Sequence, residues 1–165
     1  MEGNPPLSLP LLVTVAATFA VASAGSALTD LGPWYYSLKK PSWQPPEWLF
    51  PVGWTVIFTL TAAAAVIAWR AAAGTPLAGW LIALFVLNGA LNVGWSLLFF
   101  RLQRPDWALI EVALLWLSVV ILIGATSLCS HLAAGLLLPY LAWVSFASAL
   151  NYAVVRENGP FGGIS

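Results

Sequence analysis

Apolar residues fall into five long runs, at residues 7–28, 48–69, 77–100, 107–128 and 132–155, and the polar residues gather mostly in the breaks between them. A helix rises about 1.5 Å per residue, so crossing a hydrocarbon core about 30 Å thick takes about twenty apolar residues. Each run reaches that length. None alternates with period two, which argues against a β-barrel. The pattern predicts an all-α membrane protein, a bundle of five transmembrane helices forming one domain over residues 1–165. The first run lacks the basic leader of a signal peptide and follows Met1-Glu2-Gly3-Asn4-Pro5-Pro6, so it reads as a retained helix.

The breaks carry turn chemistry, in Ala73-Gly74-Thr75-Pro76 and Gln103-Arg104-Pro105-Asp106. The fourth and fifth runs are joined only by Ser127–His131 and should pack as antiparallel neighbours. One connection is long, residues 29–47, and it is rich in proline and tryptophan. Its prolines fix φ and remove donors, so no continuous helix is expected before about Glu47. Such a stiff aromatic segment is expected to fold over the end of the bundle as a lid. The plainer alternative is an interfacial aromatic belt.

Composition agrees with the pattern: 61% of residues are hydrophobic and 7% charged, where a soluble domain carries about a quarter charged residues. Lys39, Lys40, Arg101, Arg104 and Arg156 fall on one side of the five-span arrangement and Arg70 alone on the other. The excess of basic residues on one face predicts a cytoplasmic carboxyl terminus and a cytoplasmic lid segment. With no net charge, the chain has no electrostatic footprint for nucleic acid. A single cysteine, Cys129, and a single histidine, His131, make neither a disulfide framework nor a metal site. Ten tryptophans are more than packing of so short a chain requires.

Candidate chemistry lies on three helices. In the third, Asn88, Asn92, Trp95 and Phe99 recur at helical spacing and share a stripe. Carboxamides at bilayer depth are costly unless they bond a neighbouring helix or face a polar cavity. Both uses are open for Asn88; for Asn92, beside Trp95, ligand contact is the better reading. On the opposite face Ala90 and Gly94 form a small-xxx-small pair, which points to a homodimer through this helix. In the fifth run Tyr140, Trp143, Ala147 and Asn151 share a face, and Pro139 is expected to kink the helix. Trp54 and Trp107 could join the same cavity, whose aromatic walls and few amides suit a flat polycyclic ligand. Leu150, Tyr152 and Arg156 satisfy a short pattern proposed for sterol contact, although an interfacial Tyr and Arg end many spanning helices. Glu111 and Asp30 lie near helix ends, where snorkelling or pairing with Arg101, Arg104 or Lys39 is expected.

The core W-Y-x-x-L-x-K-P-x-W-x-P-P-x-W, which begins at Trp34 in the run to Trp54, resembles the signature of the translocator protein family (TspO/MBR). That family comprises the tryptophan-rich sensory proteins and the peripheral-type benzodiazepine receptors. Asn92-Val93-Gly94-Trp95-Ser96-Leu97-Leu98-Phe99-Phe100 resembles its third-helix motif. Pro139-Tyr140-Leu141-Ala142-Trp143, followed by Leu150-Asn151-Tyr152, resembles its fifth. The resemblance extends from the first helix to Asn158. It implies five transmembrane helices, a dimer, and binding of porphyrins (protoporphyrin IX or haem), of sterols and of synthetic isoquinolines and benzodiazepines. Carried over by motif, the pocket would use Trp54, Asn92, Trp95, Trp107, Leu114, Trp143, Ala147 and Leu150, beneath a lid carrying Trp34 and Pro45. Trp54 and Trp143 resemble the pair implicated in photo-oxidative porphyrin breakdown. Ile110 departs from the small residue of animal members.

The leading expectation is therefore a membrane receptor or carrier for tetrapyrroles, with sterol-like lipids as secondary ligands, no required cofactor, and a sensory or transport role. An enzyme degrading protoporphyrin IX with light and oxygen is the second reading. A regulatory interaction protein with a structural lipid site is the third. The expected membrane is the bacterial cell membrane, or the mitochondrial outer membrane if the source is eukaryotic.

Overall fold

The computed structural model describes residues 8–162, so the first residue of the first expected span lies outside them. The described residues form helices and no strands: α1 (Ser8–Leu28), the short α2 (Pro33–Ser37), α3 (Leu49–Ala71), α4 (Pro76–Ser96), α5 (Pro105–Ser127) and α6 (His131–Asn158). Five of them are long and apolar enough to cross a membrane. Pro33, Pro76 and Pro105 each open a helix, where the N–H that proline lacks would have no intrahelical partner anyway. Ser130 caps α6 by accepting from the Ala133 N–H at 3.2 Å. Pro139 sits inside α6 without interrupting it.

The core lies between α3, α4, α5 and α6. Ala64, Ala68, Leu115, Val119, Leu122, Leu137 and Val144 are buried there. Small residues on α3 bring its neighbours close, which is how helices gain packing where lipid is as apolar as the core. α1 stands apart. None of its span is buried, and it meets α4 where Gly89 leaves room for Val21; a Cβ at Gly89 would stand 3.1 Å from Val21 Cγ2.

The last turn of α4 widens into a π-helical segment, Leu97–Arg101, closed by the Leu102 N–H donating to the Leu97 carbonyl at 2.9 Å. A wider turn rotates less per residue, so adjacent side chains can share a face. Here both Phe99 and Phe100 reach the same cavity.

Candidate functional site

Beneath the connection between α1 and α3 lies a cavity of about 430 Å³. α3 and α6 build one wall from aromatic rings. Trp54 stacks on Phe58 with centroids 5.4 Å apart, and Trp143 meets Trp54 edge-on at 6.1 Å. Gly53 makes this possible, because a Cβ there would collide with the Trp143 ring. A second aromatic group on the same cavity belongs to α4 and its π turn: Trp95 lies 5.3 Å from Phe99 and 5.8 Å from Phe100. Ala147 and Leu150 of α6 also line it, as do Ala22, Gly25 and Ser26 of α1. Two aromatic groups with small residues beside them form a site for a flat, apolar body.

The polar groups of the interior are ordered by a chain of donors. The Ser118 hydroxyl donates to the Leu115 carbonyl at 2.7 Å, so its oxygen can only accept. Asn88 must then present Nδ2 to Ser118, at 2.8 Å. Its Oδ1 takes the Tyr140 hydroxyl proton at 3.1 Å, and Asn92 must donate Nδ2 to Tyr140, at 3.2 Å. Asn92 Oδ1 accepts nothing among the described residues, and Asn92 lines the cavity. Asn88 is thus an interhelical bond, whereas Asn92 bonds a neighbour through Nδ2 alone. Trp95 Nε1 donates to Asn151 Oδ1 at 3.1 Å, and Asn151 Nδ2 donates to the Pro105 carbonyl at 2.8 Å. Those bonds hold the Trp95 indole in place.

The connecting segment is fastened at both ends. Asn158 of α6 clamps Lys39, accepting its N–H at 2.7 Å and donating to its carbonyl at 2.8 Å. Tyr35 is buried against Phe100, with ring centroids 5.8 Å apart, and Trp43 meets Phe146 at 6.0 Å. Lys40 turns inward: it lines the cavity, and its Nζ lies 3.7 Å from the centre of the Tyr35 ring. Burial lowers the Lys40 pKa below the ordinary lysine value, opposed by the nearby Glu47 carboxylate. Tyr36 donates to Glu47 at 3.1 Å.

The residues singled out from the sequence separate into groups. Trp54, Asn92, Trp95, Trp143, Ala147 and Leu150 come together on the cavity. Trp107 and Leu114 do not: they are 49% and 54% exposed on the outer face of α5. The inner face of α5 is taken by Ala108, Val112, Leu115 and Val119, and Trp107 lies under the Arg104 guanidinium at 4.0 Å. Trp34 packs on Phe99 from outside, at 6.2 Å. Neither it nor Pro45 lines the cavity, where the segment instead contributes Tyr35, Leu38, Lys40, Gln44 and Glu47. Of the sterol pattern, Leu150 faces the cavity while Tyr152 and Arg156 are exposed on another face. Ala90 is exposed, and Gly94 is half-buried; a Cβ on it would stand 3.8 Å from Glu111 Oε1.

Glu111 corrects an expectation. Arg104 pairs with Asp106 and stacks on Trp107, so it is not available, and both Glu111 carboxylate oxygens are buried with no hydrogen-bond partner among the described residues. His131 opens α6 and is exposed. Tyr35, Lys40 and Phe100 went unnoticed as site residues in the sequence. The K-P step at Lys40-Pro41 signals charge and rigidity but not an inward-facing ammonium.

A model of the TspO/MBR family matches residues 11–156. The tryptophan-rich protein TspO of Chlorobaculum tepidum is 41% identical, over 91% of this chain and 96% of that protein. Protein CrtK of Rhodobacter capsulatus is 37% identical, over 92% and 95% respectively. The translocator protein of Homo sapiens is 36% identical, over 76% and 75%.

Proposed function

The chain belongs to the TspO/MBR family, and we propose that it is a multi-pass membrane receptor or carrier that holds a tetrapyrrole, protoporphyrin IX or haem, in the cavity beneath the lid. The observation that carries this reading is the pair of aromatic groups on one cavity, Trp54 with Trp143 and Trp95 with Phe99 and Phe100. A flat macrocycle gains most from such walls because ring faces stack and exclude water. Its charged edge substituents would meet Lys40 at the rim, and its polar ring groups the open Asn92 oxygen. The cavity volume falls within the range of about 300–1,000 Å³ usual for small-molecule sites.

Sterol-like lipids remain secondary ligands in this reading, met by Leu150 from inside and by Tyr152 and Arg156 from the lipid side. A homodimer would use the exposed face of α4 at Ala90, with Gly94 engaged against α5. Names carried by relatives, a translocator protein and a tryptophan-rich sensory protein, motivate the carrier and sensor alternatives. The edge contact of Trp54 with Trp143 favours one competing reading, light- and oxygen-dependent breakdown of bound protoporphyrin. There the excited porphyrin passes its energy to dioxygen, which adds to the macrocycle held against the oxidisable Trp54 and Trp143 indoles.

Purified protein in lipid nanodiscs is titrated with protoporphyrin IX in the dark, with tryptophan quenching as the readout, and then illuminated in air. Saturable quenching weakened about tenfold or more in Trp54→Phe/Trp143→Phe is expected. Absence of saturable quenching overturns the receptor reading. A light-dependent product that the double variant fails to form, at matched occupancy, favours the enzyme.

A further inference from the structure

Past the end of α6, residues 159–162 are held against the bundle by two contacts. The Phe161 side chain is half-buried and packs on a cluster of five buried residues. They are Tyr35 and Leu38 of the lid, Phe99 of the π turn, Ala108 of α5 and Val154 of α6. One residue on, the backbone passes close to the Arg104 guanidinium: a Cβ at Gly162 would stand 2.9 Å from Arg104 Nη1. Gly162 also has a φ of 77°, a conformation open to glycine and strained for most other residues.

That cluster is shared with the candidate site. Tyr35, Leu38, Phe99 and Val154 line the cavity beneath the lid, whereas Phe161 does not. The tail therefore packs on residues that form the cavity without forming it itself. Its attachment begins where the lid is tied down: Asn158, which clamps the Lys39 backbone, is the last residue of α6. The clamp fixes the lid by hydrogen bonds. Phe161, three residues further, adds apolar cover to the cluster in which Tyr35 and Leu38 are buried.

We propose that residues 159–162 are a latch on the lid, with Phe161 as a positioning residue that keeps Tyr35 and Leu38 seated over the cavity. With Phe161 in place, raising the lid uncovers the apolar surface of the whole cluster at once, which water opposes. With Phe161 withdrawn, part of that surface is already wet, and the cost of opening falls. Lid opening is thus set by a segment that does not touch the guest. Anything that draws the tail off Arg104 and the cluster shifts the lid toward its open state. The consequence for guest retention rests on the tetrapyrrole reading; the hold of the tail on the lid does not.

The test uses the full chain in lipid nanodiscs. Hydrogen exchange of the guest-free protein, read by peptide mass spectrometry, follows the lid through the Lys39 N–H, which is bonded to Asn158. Stopped-flow displacement then follows dissociation of protoporphyrin IX. Phe161→Ala should speed lid exchange and protoporphyrin dissociation roughly five- to tenfold, the effect of uncovering a half-buried ring, with a smaller change in association. Gly162→Val, which crowds Arg104 and strains the backbone, should act in the same direction with Phe161 intact. Phe161→Leu keeps an apolar cover and should restore most of the parent behaviour. Lid exchange in Phe161→Ala equal to that of the parent would overturn the latch. So would a rise shared by the amides of α3 and α5, which would mean a loosened bundle. Faster lid exchange with an unchanged dissociation rate would overturn the part of Phe161 in retaining the guest. Lid exchange is read without a guest, so a parent that binds no protoporphyrin yet shows faster lid exchange in Phe161→Ala loses the tetrapyrrole reading and keeps the latch.

Discussion

Among the described residues that line the cavity Lys40 is the one cation, held over the Tyr35 ring and near Glu47. A carboxylate on the guest would replace the weak ring contact by an ion pair in partly desolvated surroundings, where charge-assisted bonds are strongest. Lys40→Met should therefore weaken protoporphyrin IX, which carries two propionates, far more than its dimethyl ester. Fluorescence titration of both ligands checks this, and equal losses would show that Lys40 only packs. The pH dependence has a definite sign. Burial lowers the Lys40 pKa, so the ammonium is lost at lower pH than on a free lysine. Affinity for the dianion should fall as pH rises through that value, with the ester unaffected. Over the same alkaline window the unfolded chain holds the proton more tightly than the folded one, so this group's contribution makes the apo protein more stable as pH rises.

At the scale of elements, the lid is a short helix and a proline-rich strap tied to the bundle by the Asn158 clamp on Lys39. Those bonds involve no cavity residue directly. Asn158→Ala should leave the site intact but let the strap open more often, raising the dissociation rate several-fold with a smaller change in association. Stopped-flow displacement of protoporphyrin measures it; an unchanged off-rate would mean that Tyr35 and Trp43 hold the strap without the clamp. The helices themselves were legible from hydropathy to within a few residues at their ends, because length and apolarity alone decide a span. Which face of each helix looks inward was not. Lipid and protein core are equally apolar, so α5 shows little of the amphipathic contrast that orients a helix in water. Trp107 and Leu114 lie on the outer face of α5, which hydropathy does not distinguish from its inner face, while Asn88, Asn92 and Asn151 lie on inner faces because a carboxamide has only one tolerable side. The π turn of α4 left no composition or spacing signal, and Phe100 was missed with it.

For the whole molecule, two cavities sit at different places in the bundle. One lies under the strap that connects α1 and α3, and the other lies between α1, α3 and α4. Which aqueous side the strap faces follows from the charges. Lys39 and Lys40 in the strap, Arg101 and Arg104 in the α4–α5 turn, and Arg156 at the end of α6 lie at one end of the bundle, with Arg70 at the other. Basic residues in short connections are retained on the cytoplasmic side, so the strap should face the cytoplasm. In a Cys129→Ser background, Ser42→Cys marks the strap and Leu128→Cys, 77% exposed at the α5–α6 connection, marks the far end. A membrane-impermeant maleimide added to intact bacteria should label Leu128→Cys at once and Ser42→Cys only after lysis. The reverse pattern would put the strap outside, and with it the source of any water-borne tetrapyrrole. Orientation therefore decides from which side a guest under the strap arrives.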